Sequence, residues 1–409
     1  MKSPIHFQIR AIALSAVFIL SLAAATATTT DVIFSFDEDN GEYADTDLET
    51  DAAGNIYGTT VLGGDFGSGT VFKLSHTSTG WVQTVLYSFT SGADGGEPYK
   101  GVTIDRQGNL YGTTVTGGSG SCEGGCGVAY KLTNSGGTWT QTVIHAFTGG
   151  DDGSGPGARV TVDPTGDVYG MTPTGGAYGL GTIYKLHQEH DGTWNLTVIH
   201  AFTGGADGSS GSAGRMILRH GLLYGAATTG GTYGSGVVFE LRPRGAGGHW
   251  NFRTIYSFRG QPDGSFPYGA LLFDRGGNIY GTTYYGGANG IGSVYKLSPR
   301  PHGEWNESVL YSFQDDGTDG NSPIGNLVAD RVGNLYGTTS EGGLGSGTIF
   351  KLSPTGGGQW METVVHAFQG QPDGGFPYNG LVVDGFGNFY GATVHGGDDG
   401  DGAVYKFTP

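Results

Sequence analysis

The heptapeptide "GNLYGTT" occupies residues 108–114 and returns unchanged at 333–339, and "GNIYGTT" stands at 54–60 and 277–283. One aromatic ring, two hydroxyls and no acid or base carry little chemistry. Their repetition points to architecture, and the chain around them repeats as well. Segments resembling "GTVFKL" begin at Gly69, Gly127, Gly181, Gly236, Gly292, Gly347 and Gly402, at spacings of 58, 54, 55, 56, 55 and 55 residues. The Tyr-Gly pair keeps step at Tyr57, Tyr111, Tyr169, Tyr224, Tyr280, Tyr336 and Tyr390. There are thus seven copies.

Each copy holds four short segments rich in Val, Ile, Tyr, Phe and Thr, bounded by Gly, Asp and Pro. Residues 309–352 read "VLYSF", "IGNLVAD", "NLYGTT" and "GTIFKL". Such segments are strands. The "DxxGN" between the second and third, at Asp51, Asp105, Asp274, Asp330 and Asp384, is a hairpin turn whose glycine can take positive φ. Four strands per repeat predict an all-β, seven-bladed β-propeller. The 82 glycines among 409 residues fit strands joined by glycine turns; they lack the Gly-X-Y period of collagen, and the aromatic content of 12% argues against disorder.

The six tryptophans each stand eight residues before a Phe that ends a "VLYSF" strand, from Trp81 and Phe89 to Trp360 and Phe368. The first such strand, "VIFSF", ends at Phe36, and the sequence ends just after "GAVYKF". With "GLVVD" innermost and "VLYSF" outermost, the last blade lacks an outer strand. The N-terminal strand supplies it, so that residues 31–36 pair beside 402–407 and the ring closes. The glycine after each Tyr leaves room for an approaching strand or blade. The Thr three residues after Tyr recurs in every copy but the fourth, where Ala227 stands, as expected of a packing and hydrogen-bonding ladder.

Residues 1–27 read as an export signal: Lys2 and Arg10, then a mostly apolar run from Ala11 to Ala24, then "ATA" at 25–27. The run is shorter than the roughly 20 residues of a spanning helix. No cysteine stands at its end to take a lipid, and no second apolar run follows. A propeller over 28–409 is expected to be secreted, extracellular or periplasmic, monomeric, and without a membrane span once the signal is removed. Cys122 and Cys126 in "SCEGGC" then predict one structural disulfide. Two thiols without a neighbouring His make a poor zinc site, and redox pairs favour two intervening residues rather than three.

The combined motif "LYGTT…GG…GTVFKL" behind an export signal resembles the GloVer (Gloeo/Verruco) extracellular tandem repeat family, over nearly all of the chain past residue 27. That resemblance implies an exported bacterial repeat protein of the choice-of-anchor type. Some such proteins carry a C-terminal sorting anchor, which is not expected here. It implies no catalytic residues. The Gly pair and later Trp are also similar to kelch blades, but the spacing differs, so only architecture is shared.

The net charge is −17. Two loop types share one face of a propeller: outer strand to next inner strand, and second to third strand. Those loops carry 21 acids against Lys100, Arg159 and Arg259. Such a face attracts cations or a basic partner and disfavours nucleic acid. Equally, Asp-Gly is simply a good turn. "DDGTDGNS" at 315–322 places Asp315, Asp316 and Asp319 as candidate calcium ligands, and "DEDNGE" at 37–42 is a second acidic loop; neither completes an EF-hand. His145, His200 and His366 replace Tyr87, Tyr256 and Tyr311 in the outer strand, as expected of a buried polar ring that hydrogen-bonds. No Ser-His-Asp or metal-binding His cluster is legible, and no cofactor is required. Two functions follow. One is a non-catalytic secreted module that binds or scaffolds an extracellular protein or glycan. The alternative is a secreted glycan-directed hydrolase or lyase using carboxylates or a bound cation on the acidic face. An enzyme should break the repeat with a polar cluster on a few blades.

Overall fold

The computed structural model describes residues 29–209, 211, 214–245 and 249–409. The expected export segment, 1–27, lies outside the described residues. Seven four-stranded antiparallel sheets form the blades of a propeller, each running from inner to outer strand in chain order. In the first blade the strands are Glu49–Thr50, Ile56–Thr60, Thr70–Thr77 and Gly80–Ser88. No α-helix occurs among the described residues, and no helix there is long and apolar enough to cross a membrane.

The last blade closes as the tryptophan spacing predicts. Val382–Val383, Phe389–Thr393 and Ala403–Thr408 are completed by Thr29–Ser35 from the other end of the chain. Thr29 pairs with Thr408, Asp31 with Lys406 and Ser35 with Ala403. Phe36, fully buried, continues this strand into the core between the last blade and the first. One apolar cluster fills each of the seven interfaces between neighbouring blades, so the hydrophobic core is a ring of wedges.

Every described "YGTT" strand, such as Leu110–Thr114, is buried along its whole length, because it has a strand on either side and a blade on either face. Its glycine is required by packing. A methyl on Gly58 would lie 2.6 Å from the Phe72 ring, and on Gly225 2.6 Å from the Phe239 ring. The aromatic residue of the third strand thus lies across each glycine. The first threonine reaches the next blade: Thr282 Oγ1 donates to the Gly325 carbonyl at 3.1 Å and Thr338 to the Asn379 carbonyl at 2.7 Å. The second closes its own hairpin, with Thr60 and Thr70 hydroxyls 2.8 Å apart.

Cys122 and Cys126 form a disulfide, with Cα atoms 5.1 Å apart. Cys126 is buried in the core between the second and third blades. Thiol labelling of the denatured, unreduced protein should therefore find no free thiol; two labelled thiols would refute the pairing. Deleting residues 29–36 removes a fully buried Phe ring and exposes Ala403–Thr408 as an edge. A loss of at least about 3–5 kcal/mol, the usual effect of truncating a core Phe, is expected in denaturant melts. Concentration-dependent self-association in size-exclusion chromatography should accompany it.

Candidate functional site

Many carboxylates of the acidic face have structural work. In six blades the tyrosine or histidine of the outer strand bonds to the aspartate that begins the next loop. Tyr87 donates to Asp94 at 3.0 Å and Tyr256 to Asp263 at 2.8 Å, while His145 meets Asp152 at 2.9 Å and His200 meets Asp207 at 3.0 Å. Tyr311 with Asp319 and His366 with Asp373 complete the set. The same aspartates accept backbone N–H bonds, as Asp94 does from Thr90 and Asp207 from Thr203. Burial, then the Asp94 bond, pushes the Tyr87 phenol up to about 12. The histidine–tyrosine interchange is thus the polar ring expected from sequence, and the Asp-Gly aspartate is its other half.

The candidate calcium residues divide among such bonds. Asp316 Oδ1 accepts from Thr318 N and Asp319 N, both at 2.9 Å. Asp319, nearly buried, accepts from Tyr311, Gln314 N and Gly320 N. Asp315 shares the loop. The structure does not gather the three into a cage, and among the described residues no three His, Cys, Asp or Glu groups are placed to hold a metal ion. The two loop types do share one face: bridges such as Glu42 to Leu62, Ser154 to Thr174 and Gly375 to His395 tie them together. Their tips expose Phe66 (61%), Tyr178 (63%), Tyr233 (55%) and Leu344 (68%). The His395 ring packs there 5.2 Å from Tyr43 and 5.6 Å from Phe376.

Of the three bases assigned to this face, Lys100 is tied up beside the axis and Arg159 belongs elsewhere. Lys100 bonds Asp45 at 2.5 Å and Asn379 at 2.9 Å, beside the axis. Arg159 lies inside the central channel, 6% exposed, ion-paired to Glu49 and donating to Thr103 Oγ1. Arg215 approaches Glu49 at 4.0 Å. Burial, then the Arg215 charge, draws the Arg159 guanidinium down to about 9, so it stays protonated at neutral pH. Cross-strand register puts Asp47, Gly101, Arg159, Arg215, Ala270, Asn326 and Gly380 at one position of the repeat, two residues before the inner-strand partner of Tyr. Comparing that column across the copies would have revealed the arginines from sequence. A cavity of about 610 Å³ occupies this channel.

A second cluster also escaped the sequence reading. In the third blade the turn asparagine is replaced by Asp167, which holds Lys185 Nζ and His187 Nδ1, each at 2.5 Å. Asp167 and His187 border a groove of about 490 Å³ between the second and third blades.

A ring-closed, seven-bladed propeller built from one tandem repeat is the class that this geometry defines. The Gloeobacter/Verrucomicrobia repeat model matches residues 14–164 and 161–405, and the chain belongs to that family. A comparison with curated proteins found no match. Among solved structures, the fold is similar to the extracellular domain assigned to a one-component system, BT4673, of B. thetaiotaomicron, at 12% identity and TM-score 0.54 over 93% of this chain. The match covers 40% of that domain, so this chain spans about two fifths of its length. It is also similar to a protein from Lactobacillus plantarum, at 16% identity and TM-score 0.55 over 87% of this chain and 99% of the other. At such identities the likeness concerns the fold alone.

Glu307 and Glu362 lie on outer strands against the tyrosine–aspartate pair of the preceding blade. Burial, then the Asp263 charge, pushes Glu307 up to about 7. Burial, then Asp319 and Asp316, pushes Glu362 up to about 8. A carboxyl whose folded pKa exceeds its unfolded value binds its proton more tightly in the fold. That stabilisation is complete below the ordinary value of 4.5 and is lost as pH rises through 7 to 8. The melting temperature should therefore fall between about pH 5 and about pH 8. Glu307→Gln with Glu362→Gln should flatten that fall and raise melting by a few degrees at the upper end, as calorimetry would show. An unchanged pH profile in the double variant would refute the assignment.

Proposed function

We propose that the protein is an exported, non-catalytic binding module that meets an extracellular macromolecule with its acidic face. The observation that carries this is the set of exposed Phe66, Tyr178, Tyr233 and Leu344 at loop tips, within a field of carboxylates. Large exposed apolar side chains on a rigid, strongly charged surface are features of interaction sites. The aspartates beneath them are fixed by the outer-strand tyrosines and histidines, so the loops are ordered before a partner arrives and little entropy is lost on docking. Export is supported by the 1–27 segment and by the disulfide, which suits an oxidising compartment. The partner is a glycan, whose C–H faces stack on the rings while its hydroxyls bond the carboxylates, or a basic protein.

The hydrolase or lyase reading, expected on the acidic face, is favoured instead by one observation on the opposite, turn face, the His187–Asp167–Lys185 cluster. Asp167 is buried and fixes the ring at Nδ1, while the His187 side chain is 55% exposed toward the groove. A histidine so held can act as a general base. Glycan turnover abolished by His187→Ala would favour this reading over the first.

Affinity electrophoresis of the secreted protein in gels containing neutral polysaccharides, with a cationic protein as the parallel probe, tests the binding reading. Retardation should weaken about tenfold or more in Tyr178→Ala with Tyr233→Ala, because interface aromatics commonly carry 1–2 kcal/mol or more. Retardation that survives loss of both rings would place binding elsewhere.

A further inference from the structure

The channel breaks the sevenfold repeat more sharply than any surface loop. Its acidic-face end is narrow, where the backbones of neighbouring blades crowd together: a methyl on Gly269 would lie 2.6 Å from the Gly325 carbonyl oxygen, and on Gly325 2.5 Å from the Gly380 nitrogen. Only about 20 Å³ remains free there. The wide end, lined by Thr50, Arg219, Phe273 and Ala329, opens among the "DxxGN" turns on the opposite face. Within this cavity one wall is ionic, with Arg159 and Arg215 around Glu49 and Asp47. The facing wall is apolar, formed by Leu272, Val328 and Val382.

Buried ion pairs contribute little stability beyond what apolar filling would give. The same repeat position takes glycine or alanine in the second, fifth and seventh blades, so the ring does not need arginine there. Arg219 stands at the entrance, its guanidinium 4.7 Å above the Phe273 ring. In the cavity Arg159 and Arg215 balance Glu49 and Asp47, and Arg219 adds a positive charge at the entrance, where it donates to the Asp274 carbonyl at 3.0 Å. A guanidinium fork suits a carboxylate. The volume of about 610 Å³ lies within the range of small-molecule sites.

We propose that the central channel is a binding site for a small amphipathic monoanion, a carboxylate with an apolar body, which enters from the turn face. The head pairs with Arg215, whose side chain is one-third exposed and 4.0 Å from Glu49, and the body lies against Leu272, Val328 and Val382. This site is independent of the acidic face, since the glycine constriction separates them.

Isothermal titration of the folded protein with hexanoate, octanoate and decanoate, and with the corresponding primary amides, tests the proposal. Affinity should rise roughly fourfold per added methylene, as burial of each CH₂ predicts, and the amides should bind at least about tenfold more weakly. Arg215→Gln should remove the preference for carboxylate over amide. Val328→Gln should flatten the chain-length dependence while keeping that preference, and circular dichroism confirms that both variants fold. Equal binding of acid and amide would overturn the anionic head, and no dependence on chain length would overturn the apolar body. Absence of heat with every compound on the folded wild-type protein would overturn the site itself.

Discussion

The propeller depends on how the tyrosine of each second strand is held. Tyr280 shows the arrangement: its hydroxyl donates to Asp274 at 3.1 Å, Lys296 lies over its ring at 5.6 Å, and Trp360 of the next blade meets its edge at 6.5 Å. Tyr111 is held likewise by Asp105, Lys131 and Trp194. One side chain thereby couples a turn, its own blade and the next blade. Burial alone would raise the Asp274 carboxyl, but bonds from Asn278 and Tyr280 outweigh it and hold it below the usual carboxylate range. The same carboxylate fixes the turn through Asn278 N and Nδ2.

Ring closure extends that coupling to the termini. An antiparallel blade completed by the other end of the chain leaves no open seam between first and last blades. The outer edges remain, and in six blades the tyrosine–aspartate and histidine–aspartate pairs pin the outer strand to the loop that follows. Much of the acidity that suggests cation binding is spent in this way. An aspartate accepting a phenol and one or two backbone N–H groups has few lone pairs free for a metal ion.

The channel follows a different logic. Repetition places seven copies of each inner-strand residue around one axis, so any departure from the consensus faces all the others across a few ångströms. Arginine at two of seven positions, and acid at another, therefore creates a site although the blades that carry them are otherwise ordinary. Asp167 and Glu240 show the same effect farther out, where single substitutions in the third and fourth blades build ion pairs with Lys185 and Arg242.

By itself the sequence determined the number of blades, the strands in each, the closure by the N-terminal strand around residues 31–36, the disulfide and the histidine–tyrosine equivalence. All of these follow from spacing along the chain, because a repeat of fixed length can bury its apolar strands only against its own copies. Tertiary structure decided which loop acids are engaged, that Asp316 and Asp319 serve their own loop, and that Arg159 turns into the channel rather than out to the acidic face. At the start of the inner strands, glycines such as Gly325 and Gly380 bring the backbones of neighbouring blades together. Those residues are 55 apart in the sequence and meet only once the two blades pack.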